Sequence, residues 1–195
     1  MYSGAKQGFL LPALLISMLL LSACDSDLQK IKEISKKQLT SSVDSTTMVD
    51  VIYSDSARVK LHMTAPLLLQ HQDVKKPADE YDVMPHGVKI VFFDTSRNES
   101  GSIIADSGIQ HRQAKIIEFH KNVVAVNAQG DTYKSDELIW DQVKKIIYSN
   151  KPVQITTTNG NVINGSPFTS DEKLAHPVLG KSTGVFQVSD MPGNQ

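Results

Sequence analysis

The stretch at residues 105–130, A-D-S-G-I-Q-H-R-Q-A-K-I-I-E-F-H-K-N-V-V-A-V-N-A-Q-G, decides the fold because much of it recurs about 30 residues later. Each unit reads as strand, turn, strand, turn, strand and glycine, and it buries its apolar face only by stacking on its neighbours. The alternative is chance similarity within a β-protein rich in Val and Thr. The aligned segments are 105–106 with 135–136, 115–117 with 145–147, 121–123 with 151–153, 127–130 with 157–160, and a weaker third copy from 161 to 188.

Alternating apolar and polar residues predict short strands along most of the chain. In residues 58–63, Val59, Leu61 and Met63 fall on one face and basic residues on the other. Residues 70–85 are polar and contain two prolines, so we expect a loop there. Short strands at regular spacing predict an all-β sandwich, barrel or β-solenoid. Further strands are predicted at 88–93, 101–105, 108–112, 116–120, 123–128, 131–135, 138–141, 146–149, 153–157, 161–164 and 184–188.

The N-terminus has the features of a secretory signal. An apolar run from Phe9 to Leu21 follows Lys6, and it is shorter than the ~20 residues that a membrane-spanning helix needs. The next residues, Ser-Ala-Cys24, complete a motif that resembles the lipobox of bacterial lipoproteins, in which the cysteine is acylated and becomes the first mature residue. The alternative is an ordinary signal peptide with an incidental cysteine. We therefore expect a lipid anchor on Cys24.

This interpretation divides the chain into four parts. Residues 1–23 are the predicted lipoprotein signal peptide and 24–47 a lipid-anchored tether, which contains Leu28, Ile31 and Ile34 at three-residue spacing. That spacing fits either a short amphipathic helix on an anionic membrane or a solvated, partly disordered segment. Residues 48–190 form the predicted globular domain, and 191–195 a C-terminal tail.

Composition and motifs argue against several classes of function. The formal net charge is −1 and no basic stripe is present, so we expect no nucleic-acid partner. The single cysteine allows no disulfide within the chain. Residues 180–183, G-K-S-T, resemble the end of a phosphate-binding loop, but Ala175 stands where that motif needs glycine. The six histidines lack metal-ligand spacing, and no Gly-x-Ser-x-Gly motif occurs. We predict no enzyme activity, no metal and no cofactor.

Six blocks of the sequence together resemble a known protein family. They are S-D-S-A-R-V-K at 54–60, A-P at 65–66, M-P-H-G-V-K-I-V-F-F-D at 84–94, I-A-D-S-G-I at 104–109, K-N-V-V at 121–124 and S-D-E-L-I-W-D at 135–141. Across residues 49–188 the chain resembles the LptC family of lipopolysaccharide export proteins, within the OstA-like superfamily. The resemblance implies an all-β fold, a twisted open β-jellyroll or β-taco of stacked short antiparallel strands, with an apolar lumen that holds lipid.

The resemblance also implies partners and a location. A protein of this family receives lipopolysaccharide from the inner-membrane ABC transporter (LptB/LptF/LptG-like) and passes it to an LptA-like periplasmic bridge. Many relatives have an N-terminal transmembrane helix, whereas this chain has a lipobox, so we expect a membrane contact through the lipid anchor instead. Asp25 after Cys24 resembles an inner-membrane retention signal. We therefore expect a periplasmic, lipid-anchored protein at the inner membrane.

The lumen should be lined by apolar residues on the strands. Orientation stays open around Gly108-Ile109 and at residues 138–140, because a one-residue change of register reverses every side chain. Two other functions remain open: a structural or adhesive surface lipoprotein with a closed β-solenoid core, and a carbohydrate-active enzyme. The predicted lining residues are Val59, Leu61, Met63, Val88, Ile90, Phe92, Ile104, Ile117, Phe119, Val124, Val126, Ile139, Val153 and Ile155.

Overall fold

A computed structural model describes residues 42–73, 76 and 80–187. In this part of the chain all regular structure is β-strand, and no helix is long and apolar enough to cross a membrane. The predicted all-β class is confirmed. The strands are β1 Ser42–Asp55, β2 Arg58–Gln72, β3 Tyr81–Met84, β4 Val88–Phe93, β5 Glu99–Ala105, β6 Ser107–His111, β7 Ile116–Asn127, β8 Thr132–Asp141, β9 Ile146–Ser149, β10 Val153–Thr156, β11 Val162–Asp171 and β12 Val178–Val185.

The strands form one antiparallel sheet that is folded into two layers. Each long strand pairs with one neighbour along its first part and with another along its second. For example, β7 pairs with β6 through residues 116–120 and with β5 through residues 124–127. We call the layer that contains β4, β5 and β10 the first half-sheet, and the layer that contains β3, β6 and β9 the second half-sheet. The long strands β2, β7, β8 and β11 run through both.

A corner separates the two half-sheets on β7. Lys121 and Asn122 have positive φ angles of 64° and 48°, and the pairing register with β8 shifts between His120 and Val123. The Asn122 side chain donates a hydrogen bond to Asp106 Oδ2 at 2.6 Å, and the Asp106 N–H donates to the Lys121 carbonyl at 3.0 Å. Left-handed backbone and local polar partners let the chain turn without leaving its hydrogen bonds unmade.

The inward faces of the two half-sheets pack against each other in a single core. Ring contacts connect the layers: Tyr133 of the first half-sheet lies 5.8 Å from Phe168 of the second, centroid to centroid. The core contains Val49, Met63, Ala65, Met84, Val88, Ile90, Ile103, Ala105, Ile117, Phe119, Val123, Ala125, Tyr133, Leu138, Trp140, Ile147, Val153, Ile155, Phe168 and Leu174. The β-taco arrangement that the sequence predicts is therefore present.

The repeat that opens the sequence argument is visible in the turns. The Gly130 N–H donates to the Asn127 carbonyl, and one period later the Gly160 N–H donates to the Thr157 carbonyl. Both glycines have positive φ angles, 88° and 82°, which a glycine adopts without steric cost. Equivalent turn geometry at equivalent positions is what a stacked array of β-units requires.

Several boundaries differ from the sequence-based prediction: β1 and most of β11 and β12 lie outside the predicted strands, and two segments that form strands are assigned by the prediction to a loop and to the tether. Residues 70–85 are not one loop, because β2 continues to Gln72 and β3 occupies Tyr81–Met84. Strand β1 begins at Ser42, so residues 42–47, which we assigned to the tether, pair with β2 instead. Polar residues form strands here because each pairs with a neighbouring strand on at least one side, which satisfies its backbone groups. The four-part division of the chain otherwise stays a prediction.

Candidate functional site

The space between the half-sheets is the candidate site, and most predicted lining residues face it. Their register partners across the strands also face inward, for example Met63 opposite Ile90. Leu61 and Phe92 are partly buried against the core. Val59 is half-buried, and a register shift between β1 and β2 separates it from the inward row of Leu61. The buried members of the predicted set are Met63, Val88, Ile90, Ile117, Phe119, Val153 and Ile155.

Four predicted lining residues face the opposite way, and their assignment is wrong. Ile104, Val124, Val126 and Ile139 are all less buried than the residues beside them. The cause is the pairing register. In the apolar doublets 103–104 and 123–124, Ile103 and Val123 face inward, so Ile104 and Val124 face outward. The pairing is consistent, since Ile104 is opposite Val124, and Ile139 is opposite Glu118.

The structure also decides the two orientations that the sequence leaves open. Gly108 faces inward, because a Cβ there would lie 3.0 Å from Val88 Cγ1 and 3.1 Å from Met84 Cε. On β8, Leu138 and Trp140 are inward and buried. Glycine is needed at position 108 because two core side chains fill the place of its own.

The second half-sheet carries an inward row near the opening between the layers, which we call the mouth row. It lies one step farther from the corner than the apolar row that includes Phe119 and Leu138. Trp140 of the mouth row meets Phe92 of the first half-sheet edge to face, with centroids 5.1 Å apart. This contact closes the opening at that level. The mouth row consists of Asp82, Gln110, Ile117, Trp140, Ile147 and Ser170, each paired with the next across the strands.

An acidic and basic group lies at one end of the mouth row. Asp82 is 5% exposed, and its Oδ1 lies 3.5 Å from Arg112 Nε. Arg112 also lies 3.7 Å from Glu80 and donates a hydrogen bond to the His71 carbonyl at 3.2 Å. Burial raises the pKa of the Asp82 carboxyl above its ordinary value, although the neighbouring Arg112 opposes the shift. Arg112 thus forms ion pairs with Asp82 and Glu80 whose atoms are too far apart for short hydrogen bonds.

A hydrogen-bonded clamp joins the layers farther along the stack. The Tyr133 hydroxyl donates to the Leu174 carbonyl at 2.7 Å, and Asn127 Nδ2 donates to the same oxygen at 3.2 Å. Tyr133 belongs to the first half-sheet, and Leu174 follows β11 as it leaves the second. We call Asn127, Tyr133 and Leu174 the interlayer clamp. It holds the half-sheets together at the end of the stack away from β1.

The clamp predicts a stability change at high pH. Burial raises the pKa of Tyr133 to about 12 from the ordinary tyrosine value of 10.0. Between these values the unfolded chain releases the phenol proton while the folded chain keeps it, so stability falls as the pH rises. Chemical denaturation of the unmodified chain and of Tyr133→Phe across this interval measures the effect. The variant should lose this part of the pH dependence, and equal slopes in both proteins would contradict the assignment.

The apolar interior is exposed at the β1 end of the stack. Val51 and Tyr53 continue the inward rows, opposite Met63 and Leu61, yet they are 42% and 56% exposed. Among the described strands, β1 pairs only with β2, and β12 pairs only with β11. Both ends of the stack therefore present backbone N–H and C=O groups on one side of a strand.

The outer faces carry shallow depressions with mixed polar and apolar lining. A shallow depression of about 500 Å³ on the first half-sheet is lined by Val124, Lys134, Asp136, Gln154 and other residues. Within the described ranges, no three His, Cys, Asp or Glu side chains are grouped to hold a metal ion. The interior is thus the apolar feature that runs through both half-sheets.

Sequence reasoning missed the polar members of the site. Asp82 lies in the region predicted as a loop, and its partner Arg112 is 30 residues away. The sequence pattern identifies Asn127 and Tyr133 only as turn and strand residues. The alternation of Asp82 with Tyr81 and Val83 was the one available signal for a strand there.

The comparisons with known proteins agree with this architecture. The family model "LptC: Lipopolysaccharide-assembly, LptC-related" matches residues 10–182 of the 195 residues. No curated protein matches the chain. Because the match covers well over half of the chain, it supports a general function in lipopolysaccharide transport at the cell envelope, and the family is a transport family. The chain therefore belongs to the LptC family.

Proposed function

We propose that this protein receives lipopolysaccharide from an inner-membrane ABC transporter (LptB/LptF/LptG-like) and passes it to an LptA-like bridge through its apolar interior. A lipid anchor on Cys24 holds it at the periplasmic face of the inner membrane. The transporter supplies the energy, because a passive interior of uniform affinity gives lipid movement no direction. The protein itself performs no covalent chemistry.

The observation that carries this proposal is the continuity of the apolar interior. Its rows extend from Ile155 across the strands to Met63 and end at the exposed Val51 and Tyr53. An acyl chain that enters there meets apolar side chains, and burying it contributes about 0.8 kcal/mol per CH₂ group.

The two unpaired strand edges support the assignment of protein partners. An exposed edge accepts a strand of another protein through main-chain hydrogen bonds. β1 provides such an edge at the exposed end of the interior, and β12 provides one at the other end. We infer that the transporter and the bridge each pair with one of these edges.

The packed interior favours a second candidate function. Ile90, Ile103 and Phe119 have no exposed surface, so acyl chains enter only if the half-sheets separate. A protein that never separates them would be a structural or adhesive surface lipoprotein with a closed core.

Photocross-linking separates these functions. We would place a photoreactive residue at Phe92 in the full chain and add purified lipopolysaccharide. The matched control is Ile104, which is apolar, 46% exposed and on the outer face. We expect capture at Phe92 and little at Ile104, because only the first side chain borders the interior. Absence of capture at Phe92 in a folded protein would favour the closed core, and equal capture at both would indicate nonspecific adsorption.

A further inference from the structure

The polar atoms that lack hydrogen-bond partners have a common location. In the described part of the chain, buried side-chain atoms without such a partner are Asp82 Oδ1, Arg112 Nε, Trp140 Nε1 and Ser170 Oγ. Asp82, Trp140 and Ser170 all belong to the mouth row, and Arg112 follows β6 directly beside Asp82. The unmade hydrogen bonds thus lie along one line of the interior.

Such atoms carry a cost that needs an explanation. A buried donor or acceptor without a partner loses its interaction with water and gains nothing in return. This applies to the Trp140 N–H and the Ser170 O–H. Asp82 and Arg112, by contrast, partly compensate each other as an ion pair. Because alanine would occupy position 170 and a purely apolar side chain position 140 without an unmade hydrogen bond, the polar atoms are explained by a ligand that accepts hydrogen bonds.

The surroundings define what kind of ligand fits. On the corner side of the mouth row lies a mainly apolar row that includes Met84, Phe119 and Phe168, with the buried Ser149 as its polar member, and on the other side lies the opening. The mouth row spans five strand steps from Asp82 to Ser170, which is about 24 Å at the usual strand spacing. Such a surface matches an amphiphile whose apolar chains point to the corner and whose oxygen atoms lie in a line.

We propose that the mouth row recognises the oxygen atoms at the head ends of the acyl chains of lipopolysaccharide, namely amide and ester carbonyls and hydroxyl groups. Trp140 Nε1 and Ser170 Oγ donate hydrogen bonds to these oxygens, and Arg112 interacts with the more polar end. The row fixes how deeply each chain enters, and it makes the interior specific for acylated lipids over plain hydrocarbons. This inference rests on the proposed lipid-carrying function.

The test uses Trp140→Phe and Ser170→Ala in the full chain. In the absence of lipid, Ser170→Ala should be more stable, with a Tm higher by about 2–4 °C, because an unpartnered buried group has been removed. Trp140→Phe also removes an unpartnered N–H, but its smaller ring loses packing against Phe92, so the stability test rests on Ser170→Ala. Each should bind lipopolysaccharide about two- to tenfold more weakly, since a hydrogen bond to the ligand is lost. Binding of the apolar probe N-phenylnaphthylamine should be unchanged. Tyr148→Phe, which removes a hydroxyl from the outer face of the same half-sheet, is the control. It should change neither the affinity for lipopolysaccharide nor the binding of the probe.

The outcomes distinguish this inference from the function on which it rests. If the unmodified chain binds no lipopolysaccharide, both are overturned. If it binds and the two variants bind equally well, the mouth row has no role in recognition and the proposed function stands. A loss of stability in Ser170→Ala would show that its hydroxyl is partnered in the free protein, and it would also overturn the inference.

Discussion

Replacing Ile103 by alanine is expected to lower the free energy of unfolding by about 2–5 kcal/mol, whereas the same change at Ile104 should cost less than about 0.5 kcal/mol. The two residues are identical and adjacent on β5, but Ile103 has no exposed surface and Ile104 is 46% exposed. Only the first change removes apolar surface from the core and leaves a cavity against Ile90 and Ala125, its register partners.

Urea denaturation of both variants and the unmodified chain measures this difference. Because side-chain type and strand are the same, the pair tests the register directly. Similar losses at both positions would indicate that Ile104 is covered in solution. A larger loss at Ile104 would mean that the inward and outward faces of β5 are reversed.

The strands of this fold were predictable because their signal is local. The strand at residues 58–63 and the repeated turns at Gly130 and Gly160 are predicted from neighbouring residues alone. Both are present, although burial along residues 58–63 does not alternate. The choice within the doublet Ile103-Ile104 was not predictable in this way. Both members are apolar, so only pairing with β4 and β7 decides which side chain turns inward.

The two N-terminal corrections have a different cause. Residues 42–47 are mostly polar, and residues 67–72 consist of three leucines followed by three polar residues, so neither segment alone has the alternation of a half-buried strand. Each becomes a strand because the other satisfies its backbone hydrogen bonds along the whole length of the pair. This is a property of two distant segments, and propensity read one segment at a time does not contain it.

The polar part of the site was beyond sequence reasoning for a similar reason. Apolar lining residues are recognisable in the sequence by their alternation, whereas Asp82 and Ser170 cannot be distinguished there from the surface residues of a strand. Only the pairing register shows that they lie in the inward row that contains Trp140 and Ile147. Sequence patterns therefore predicted that an apolar interior exists, and the structure identified where it is polar.

The interlayer clamp should be the most sensitive polar feature of the domain. Asn127 is 6% exposed, and its Oδ1 accepts hydrogen bonds from the backbone N–H groups of Gln129 and Asp131 at 3.0 and 2.9 Å. Its Nδ2 donates to the Leu174 carbonyl across the interior. Asn127→Leu removes all of these hydrogen bonds and leaves two turn N–H groups without their acceptor.

We expect Asn127→Leu to lower the free energy of unfolding by about 3 kcal/mol, since a lost buried partner costs roughly 1–3 kcal/mol per group. Asn164→Ala is the control: its side chain accepts a hydrogen bond from Gln154 on the exposed outer face and should cost less than about 1 kcal/mol. If Asn127→Leu costs no more than the control, the layers are held by apolar packing alone. A larger loss than in the control would show that the interlayer clamp restricts separation of the half-sheets at this end. Under the proposed function, lipid would then enter the interior from the β1 end.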